Sequence, residues 1–364
     1  MIGRLGLKHY IFLIIAAGIF SAGFHGLGLF KSVPWHLVYS DTLGFFEKAA
    51  APGFPYLQKQ IEYPVLTGWF IHWMGALGQS RAGYYFWSAL FLIIFAAVAT
   101  GFLYRIAEDK RRLLVYWIFA PSMLVFSAFN WDILALLFVI LAFYFMSRDK
   151  DGYAAFFLAL GFSSKLYPIL YLIPLLLKKN NVRELAKLAG IFFITALAVN
   201  GIFMLANFDG WSYFYTLNSA RNSNPDSIWS VIRFLFGDIS IPSINVISFI
   251  LFGASYAAFM RKFRKVETLQ LCFGATLIFL LFNKVFTPQY LMWLLPFWVL
   301  LPELKFSSKL FYALEFSNLG AFFSILPWFF LGHNMFYFYL ASPFVILRHF
   351  FLAVIIYQLL KKRG

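Results

Sequence analysis

Five polar interruptions in an otherwise apolar sequence carry the side chains able to do chemistry. In YSDTLGFFEKAAAPGFPY, Asp41 is a carboxylate among aromatics, placed to take a proton from a hydroxyl. Ser40 and Asp41 are also good caps for the short helix that should follow, and the two roles are compatible. In IEYPVLTGWFIHWMG, Glu62 and Tyr63 stand before a proline that starts a new helix. Glu62 could accept a hydrogen bond from a sugar hydroxyl, or serve as a first-turn acid favoured by the helix dipole. Asp132, in AFNWDILALLF, separates two apolar runs. An ionised acid there must face a hydrated cavity or a hairpin turn, unless it or Asn130 simply caps the next helix. Lys165, in GFSSKLYPILYLIP, poses the same problem with opposite sign and must pair, snorkel or meet an anion.

The fifth string, FNKVFTPQYLMWLLP, brings Asn283, Lys284, Thr287 and Gln289 between two apolar helices. A lysine suits phosphate as a point charge, and Asn283 and Gln289 can hydrogen-bond a sugar or phosphate oxygen. The alternative is a polar turn with a snorkelling lysine. The loop TLNSARNSNPDSIWSVIRFLFG adds Arg221, which could swing over a bound phosphate. His72, His333 and His349 are dispersed without metal-ligand spacing, and Glu315 in an apolar run has no assigned role.

These residues must be held by membrane helices. Of 364 residues 62% are hydrophobic and 12% charged, against roughly 25% charged in a soluble domain. A water-soluble globule is excluded, and the long continuous apolar runs exclude a β-barrel. We expect an all-α polytopic membrane protein, a single domain over 1–364. About twelve spans are expected, at 9–30, 82–104, 113–129, 132–147, 152–164, 166–177, 188–206, 243–260, 268–283, 290–302, 310–331 and 336–360. The apolar stretch within Met1–Phe30 lacks a small-residue cleavage site and reads as a retained first span.

The formal charge of +15 needs no nucleic-acid partner. With twelve alternating spans, 21 of the 30 cations fall on one side, from Arg4 and Lys8 to Lys361, Lys362 and Arg363. Both termini are therefore expected in the cytoplasm. That parity holds only if Pro64–Gly78 is re-entrant or interfacial. Two long extracytoplasmic loops result, at 31–81 and 207–242, and loops of that length usually carry function. There is no P-loop or glycine-rich nucleotide fingerprint, and the single cysteine, Cys272, permits neither an intrachain disulfide nor a cysteine metal cluster.

A base, several phosphate-competent cations and many aromatics on one face suit sugar transfer from a lipid phosphate. The strings NKVFTPQYLMWLLP, SKLYPILYLIP, NWDILALL, the first-loop SD and EYPVL resemble the membrane glycosyltransferases of the GT-C superfamily. Within it they are similar to the bacterial polyprenyl-phosphate-mannose mannosyltransferases and to the glycosylphosphatidylinositol mannosyltransferase I group. The resemblance implies a catalytic aspartate at Asp41, a polyprenyl-phosphate sugar donor (mannose first), and inverting transfer to a lipid-linked or glycan acceptor on the extracytoplasmic face. Donor phosphate would fall to Lys284, Lys165 and Arg221; sugar or acceptor to Glu62, Tyr63, Asp132, Asn283 and Gln289. Some relatives carry Asp-x-Asp where this chain has Ser40-Asp41-Thr42, so neither a metal nor another cofactor is expected. No protein partner is expected beyond the membrane lipids. A lipid-linked sugar flippase, or a related enzyme moving arabinose or an aminosugar, are the alternatives.

Overall fold

A computed structural model describes residues 5–361. Arg4, Lys362 and Arg363, counted above for orientation, lie outside the described residues. Among the described residues the chain is helical throughout, the only extended pairing being an isolated bridge between Pro55 and Lys59. Helix starts follow local chemistry. Ser40, Ser80, Asn181, Ser227, Ser240 and Ser307 each turn a side-chain oxygen onto a free first-turn N–H.

Among the described residues six helices are long and apolar enough to cross a membrane: Leu7–Leu29, Arg81–Ile106, Val182–Ala206, Ile241–Lys262, Ser308–Phe330 and Met335–Lys361. The other six expected spans have helical counterparts, but all are short. The 113–129 segment is broken into Arg111–Leu113, a π-helical turn at Leu114–Ile118, and Pro121–Phe126. Asp132–Met146 has 15 residues and Asp151–Ser164 has 14. At 1.5 Å per residue each is roughly 22 Å long, less than the roughly 30 Å hydrocarbon core. Tyr167–Leu177, Thr268–Phe282 and Pro288–Leu300 are of similar or lesser length, each of the first and last opening with a 3₁₀ turn forced by a proline. The expectation of twelve spans thus resolves into six full-length helices and six short segments.

Consecutive short segments turn at three tips, 127–131, 165–166 and 283–287; the segments flanking the second and third tips pack on each other, whereas Asp132–Met146 packs on Asp151–Ser164 and Arg81–Ile106. These short segments contribute many of the buried residues of the main core. Tyr171 bonds Thr276 at 2.7 Å, Phe143 packs on Tyr171 and Phe297, and Tyr167 stacks on Trp293 with centroids 4.0 Å apart. The polar residues that interrupt the apolar runs gather at the tips: Asn130, Lys165, Asn283 and Lys284.

The two long loops close over these tips. The first contains short helices and then Val65–Gly78, which packs along Arg81–Ile106. The segment expected at Pro64–Gly78 to be re-entrant or interfacial is thus a 14-residue helix, Val65–Gly78. Thr42 fastens the first loop to the 127–131 tip through its backbone N–H and hydroxyl on the Phe129 carbonyl, the hydroxyl also reaching Ala128. Thr67 donates to the Ser164 carbonyl at the second tip, 2.7 Å away. The second loop folds into Phe208–Ala220 and Ile228–Phe236 and sits on the third tip, where Asn224 N–H donates to the Lys284 carbonyl. The loops also touch each other. Asn207 donates to the Leu57 carbonyl, and Gly210 lies so close to the Tyr56 backbone that a Cβ would not fit.

Candidate active site

Asp41 is the first residue of its short helix, but Ser40 makes the cap: its Oγ accepts from Leu43 N–H at 3.2 Å. The Asp41 carboxylate is thereby released from capping. Oδ1 accepts from the Tyr39 hydroxyl at 2.8 Å and Oδ2 from the Asn130 amide, while one edge of the side chain stays open. Asn130, weighed above as a helix cap, instead spends its amide on Asp41 and on the Tyr63 hydroxyl at 3.2 Å. Burial pushes the Asp41 pKa above the usual carboxylate range, opposed by the Tyr39 and Asn130 hydrogen bonds and by the nearby charges of Lys165 and Arg221. A carboxylate tuned upward yet held in place by two donors has the properties of a general base.

Lys165 follows the last residue of Asp151–Ser164 and turns into the same site. Its Nζ lies 2.7 Å from Asp132 Oδ2, and Trp293 Nε1 donates to Asp132 Oδ1 at 2.7 Å. Asp132 is fully buried and both its oxygens are taken. Its role in this structure is therefore that of counter-ion, not the sugar or acceptor contact expected from the sequence. The ammonium also sits 5.0 Å from the Tyr290 ring and 6.0 Å from that of Tyr63. Tyr63 packs edge-on against Trp131 and Phe45, forming an aromatic wall between Asp41 and Lys165.

Lys284 occupies the third tip and is nearly buried. It donates to the carbonyls of Arg221 at 2.7 Å and Ser219 at 3.0 Å, so it anchors the second loop. Burial first, and then repulsion by Arg221, lowers its pKa. Arg221 itself is exposed, bonded to Asn224 Oδ1 at 2.9 Å, and close enough to Asp41 to favour its anion. It opens onto a cavity of about 620 Å³ lined also by Arg233, Phe234, Trp328 and Phe329.

Three of the residues expected to hold sugar or acceptor are otherwise engaged or set apart. Glu62 forms an ion pair with Lys48 at the surface. Asn283 closes its own turn, its amide 2.8 Å from the Val285 carbonyl. Gln289 is buried with its Oε1 unpartnered.

Sequence reading missed Arg348. It is fully buried in the last helix, donates to Asn318 Oδ1 at 2.9 Å and to the Asp226 and Phe286 carbonyls, and lies over the Phe286 ring. Asn318 in turn donates to the Pro288 carbonyl at 2.8 Å. One buried guanidinium thus binds the second loop to the third tip. The available signal was a cation deep inside a continuous apolar helix. Glu315 also finds a place, accepting from Ser122 N–H and Oγ at 2.6 and 2.7 Å and so tying Ser308–Phe330 to the Pro121–Phe126 turn.

Asn130, Asp132, Lys165, Arg221 and Lys284 lie inside a stretch, residues 62–288, that matches the profile of Glycosyltransferase family 87, while Asp41 and Tyr39 precede it. The chain is also 24% identical over 315 residues to GPI mannosyltransferase 1 of Kluyveromyces lactis, covering 79% of this chain and 78% of that one. It is 25% identical over 313 residues to GPI mannosyltransferase 1 of Candida albicans, covering 76% and 75%. A solved structure, ArnT from Cupriavidus metallidurans bound to undecaprenyl phosphate, aligns with 98% of this chain and 78% of its own at a TM-score of 0.48 and 13% identity. With the family profile covering well over half of its length, this multi-pass membrane protein is a glycosyltransferase and belongs to Glycosyltransferase family 87.

Proposed function

We propose that this protein transfers a mannosyl residue from a polyprenyl-phosphate donor to the hydroxyl of a lipid-linked or glycan acceptor, at the membrane face opposite its basic loops. The mannosyl choice rests on the relatives that are GPI mannosyltransferases. The face follows from the positive-inside rule, which puts the basic loops and both termini in the cytoplasm and the site outside. The observation that carries the reaction is Asp41, part-open and hydrogen-bonded to Tyr39 and Asn130, with Arg221 and Lys165 beside it.

In the reaction, Asp41 takes the acceptor hydroxyl proton as that oxygen attacks the anomeric carbon from the side opposite phosphate. The bond from that carbon to the phosphate oxygen breaks, and the configuration inverts. The phosphodiester monoanion leaves as a monoester that can carry a second negative charge. Cations that meet this growing charge lower the barrier more than they tighten the ground state. Arg221 is placed to do so directly, because it is exposed and opens on the cavity. Lys165 acts at shorter range on Asp41, and Lys284 holds the Arg221 backbone in position. The Trp328, Phe329 and Phe234 faces in the cavity suit isoprene units and a sugar ring.

The test is transfer of label from radiolabelled polyprenyl-phosphate mannose into a total membrane lipid extract by the purified protein. Wild type should label an acceptor, and Asp41→Asn should lower the rate by about 10²–10⁴-fold, the usual worth of a positioned base. Wild-type turnover by the Asn variant would remove Asp41 from the reaction.

A further inference from the structure

A second groove opens at the opposite end of the short segments, on the side that holds the basic loops. It lies where Tyr167–Leu177 ends, between the start of Val182–Ala206 and the end of Ile241–Lys262. Its volume is about 780 Å³. Ile173, Leu177, Ala186 and Ala189 make an apolar wall, and the two alanines, small and three residues apart on one helix face, leave the space. Lys179, Arg264 and Lys265 stand at its rim.

The charges at this rim are unequal. Lys179 is matched by Asp151 at 2.8 Å and Glu184 at 3.7 Å, and the neighbouring Lys178 by Asp149 and Asp151. Arg264 and Lys265 are exposed and have no ion-pair partner among the described residues. Two cations without an ion-pair partner among the described residues, at the mouth of an apolar-walled groove, complement an anion that carries a hydrocarbon chain. A soluble phosphate would leave the apolar wall wet, and a zwitterionic lipid would bring a second cation to the rim.

We infer that this groove binds an anionic glycerophospholipid of the adjacent leaflet, its phosphate between Arg264 and Lys265 and an acyl chain against Ile173, Leu177, Ala186 and Ala189. The site is separate from Asp41, since the Lys165 and Leu177 ends of the same short segment point to opposite faces of the fold. Its occupancy is independent of the transfer reaction.

Native mass spectrometry of the intact full-length protein tests this, with lipid titrated into detergent micelles. Wild type should retain one phosphatidylglycerol about tenfold or more over phosphatidylcholine, as two interfacial cations worth roughly 1 kcal/mol each would give. Arg264→Ala/Lys265→Ala should erase that preference. Arg261→Ala/Lys262→Ala, which removes two nearby cations outside the groove, should keep it. Ala186→Trp, which fills the groove and leaves the rim charges, should also release the lipid. The inference is overturned if wild type holds both lipids equally, if the Arg264/Lys265 variant keeps its preference, if the Arg261/Lys262 variant loses as much, or if Ala186→Trp still retains phosphatidylglycerol. Equal competition by millimolar inorganic phosphate in wild type and Ala186→Trp would likewise overturn the acyl-chain part by showing a plain anion site.

Discussion

The second and third hairpin tips each place one lysine under a long loop, and the two lysines are used differently. Lys165 faces a buried carboxylate, Asp132, that is itself fixed by Trp293, so the tip is close to electrically neutral. Lys284 faces only carbonyl dipoles, those of Ser219 and Arg221, and has the Arg221 guanidinium as a neighbour. The positive potential available to a phosphate therefore belongs to the third tip and the loop it supports. The second tip supplies rigidity and a short-range field on Asp41. The same residue type at the same kind of helix break thus neutralises a buried acid in one place and anchors a cation-bearing loop in the other, and what decides is the partner.

The sharpest way to break the comparison is to remove one partner of the neutral tip. Asp132→Ala leaves Lys165 buried without its counter-ion and should destabilise the protein by about 3–5 kcal/mol, the usual cost of orphaning one member of a buried pair. Thermal unfolding in detergent checks this. Asp132→Leu/Lys165→Met, which removes both charges, should recover most of the loss. If the single variant unfolds like wild type, the second tip is not a structural pair.

At the third tip the first effect should be on donor use, with stability less affected. Arg221→Ala should raise the KM for polyprenyl-phosphate mannose by about 10–100-fold, as expected for losing a hydrogen bond to a charged group worth about 1.5–3 kcal/mol. Lys284→Met should weaken donor use less and cost about 1.5–3 kcal/mol in stability, because two part-buried hydrogen bonds from a charged donor to the Ser219 and Arg221 carbonyls are lost. Equal donor defects in the two variants would place the phosphate on Lys284 itself.

Much of this arrangement was legible in the sequence, because a charge in an apolar run must be accounted for. Asp41, Lys165 and Lys284 all stand at breaks, and a helix opening after Pro64 followed from the proline itself. Pairing was not legible. Asp132 and Lys165 are 33 residues apart, and nothing in local patterning says that the two breaks meet or that Trp293 closes on them. For the same reason Asp132 read as a ligand contact, although it is a counter-ion. Arg348 escaped because its helix is apolar on both sides, so no break marks it, and its partners are two backbone carbonyls and the Asn318 amide 30 residues away, none of which local patterning reveals. The short length of these segments was visible as short spans.

Arg348 sharpens the comparison from outside both tips. Its replacement by Met should loosen the second loop against the third tip without touching Asp132 and Lys165. The expected result is a rise in donor KM of about tenfold or less, partly restored in Arg348→Lys, with little change in the acceptor KM; equal losses for donor and acceptor would mean a general folding defect instead.

The smallest effect should come from the donors to Asp41, and it should appear as a shift along the pH axis. A base must be deprotonated to act, so kcat/KM should rise with pH through the Asp41 pKa, which burial has raised above the ordinary carboxylate range, and level off above it. The Asn130 amide hydrogen bond favours the anion and therefore lowers that pKa. In Asn130→Ala the anion loses a donor, protonation becomes easier, and the acid limb should move to higher pH while the plateau rate changes by less than about tenfold. Tyr39→Phe, which removes the other donor, should move the limb in the same direction. Arg221→Ala should also move it upward, since its charge favours the same anion from further away, whereas Lys284→Met, which lies behind Arg221, should leave the limb in place. A limb that stays fixed in Asn130→Ala and Tyr39→Phe alike would show that the titrating base is some group other than Asp41.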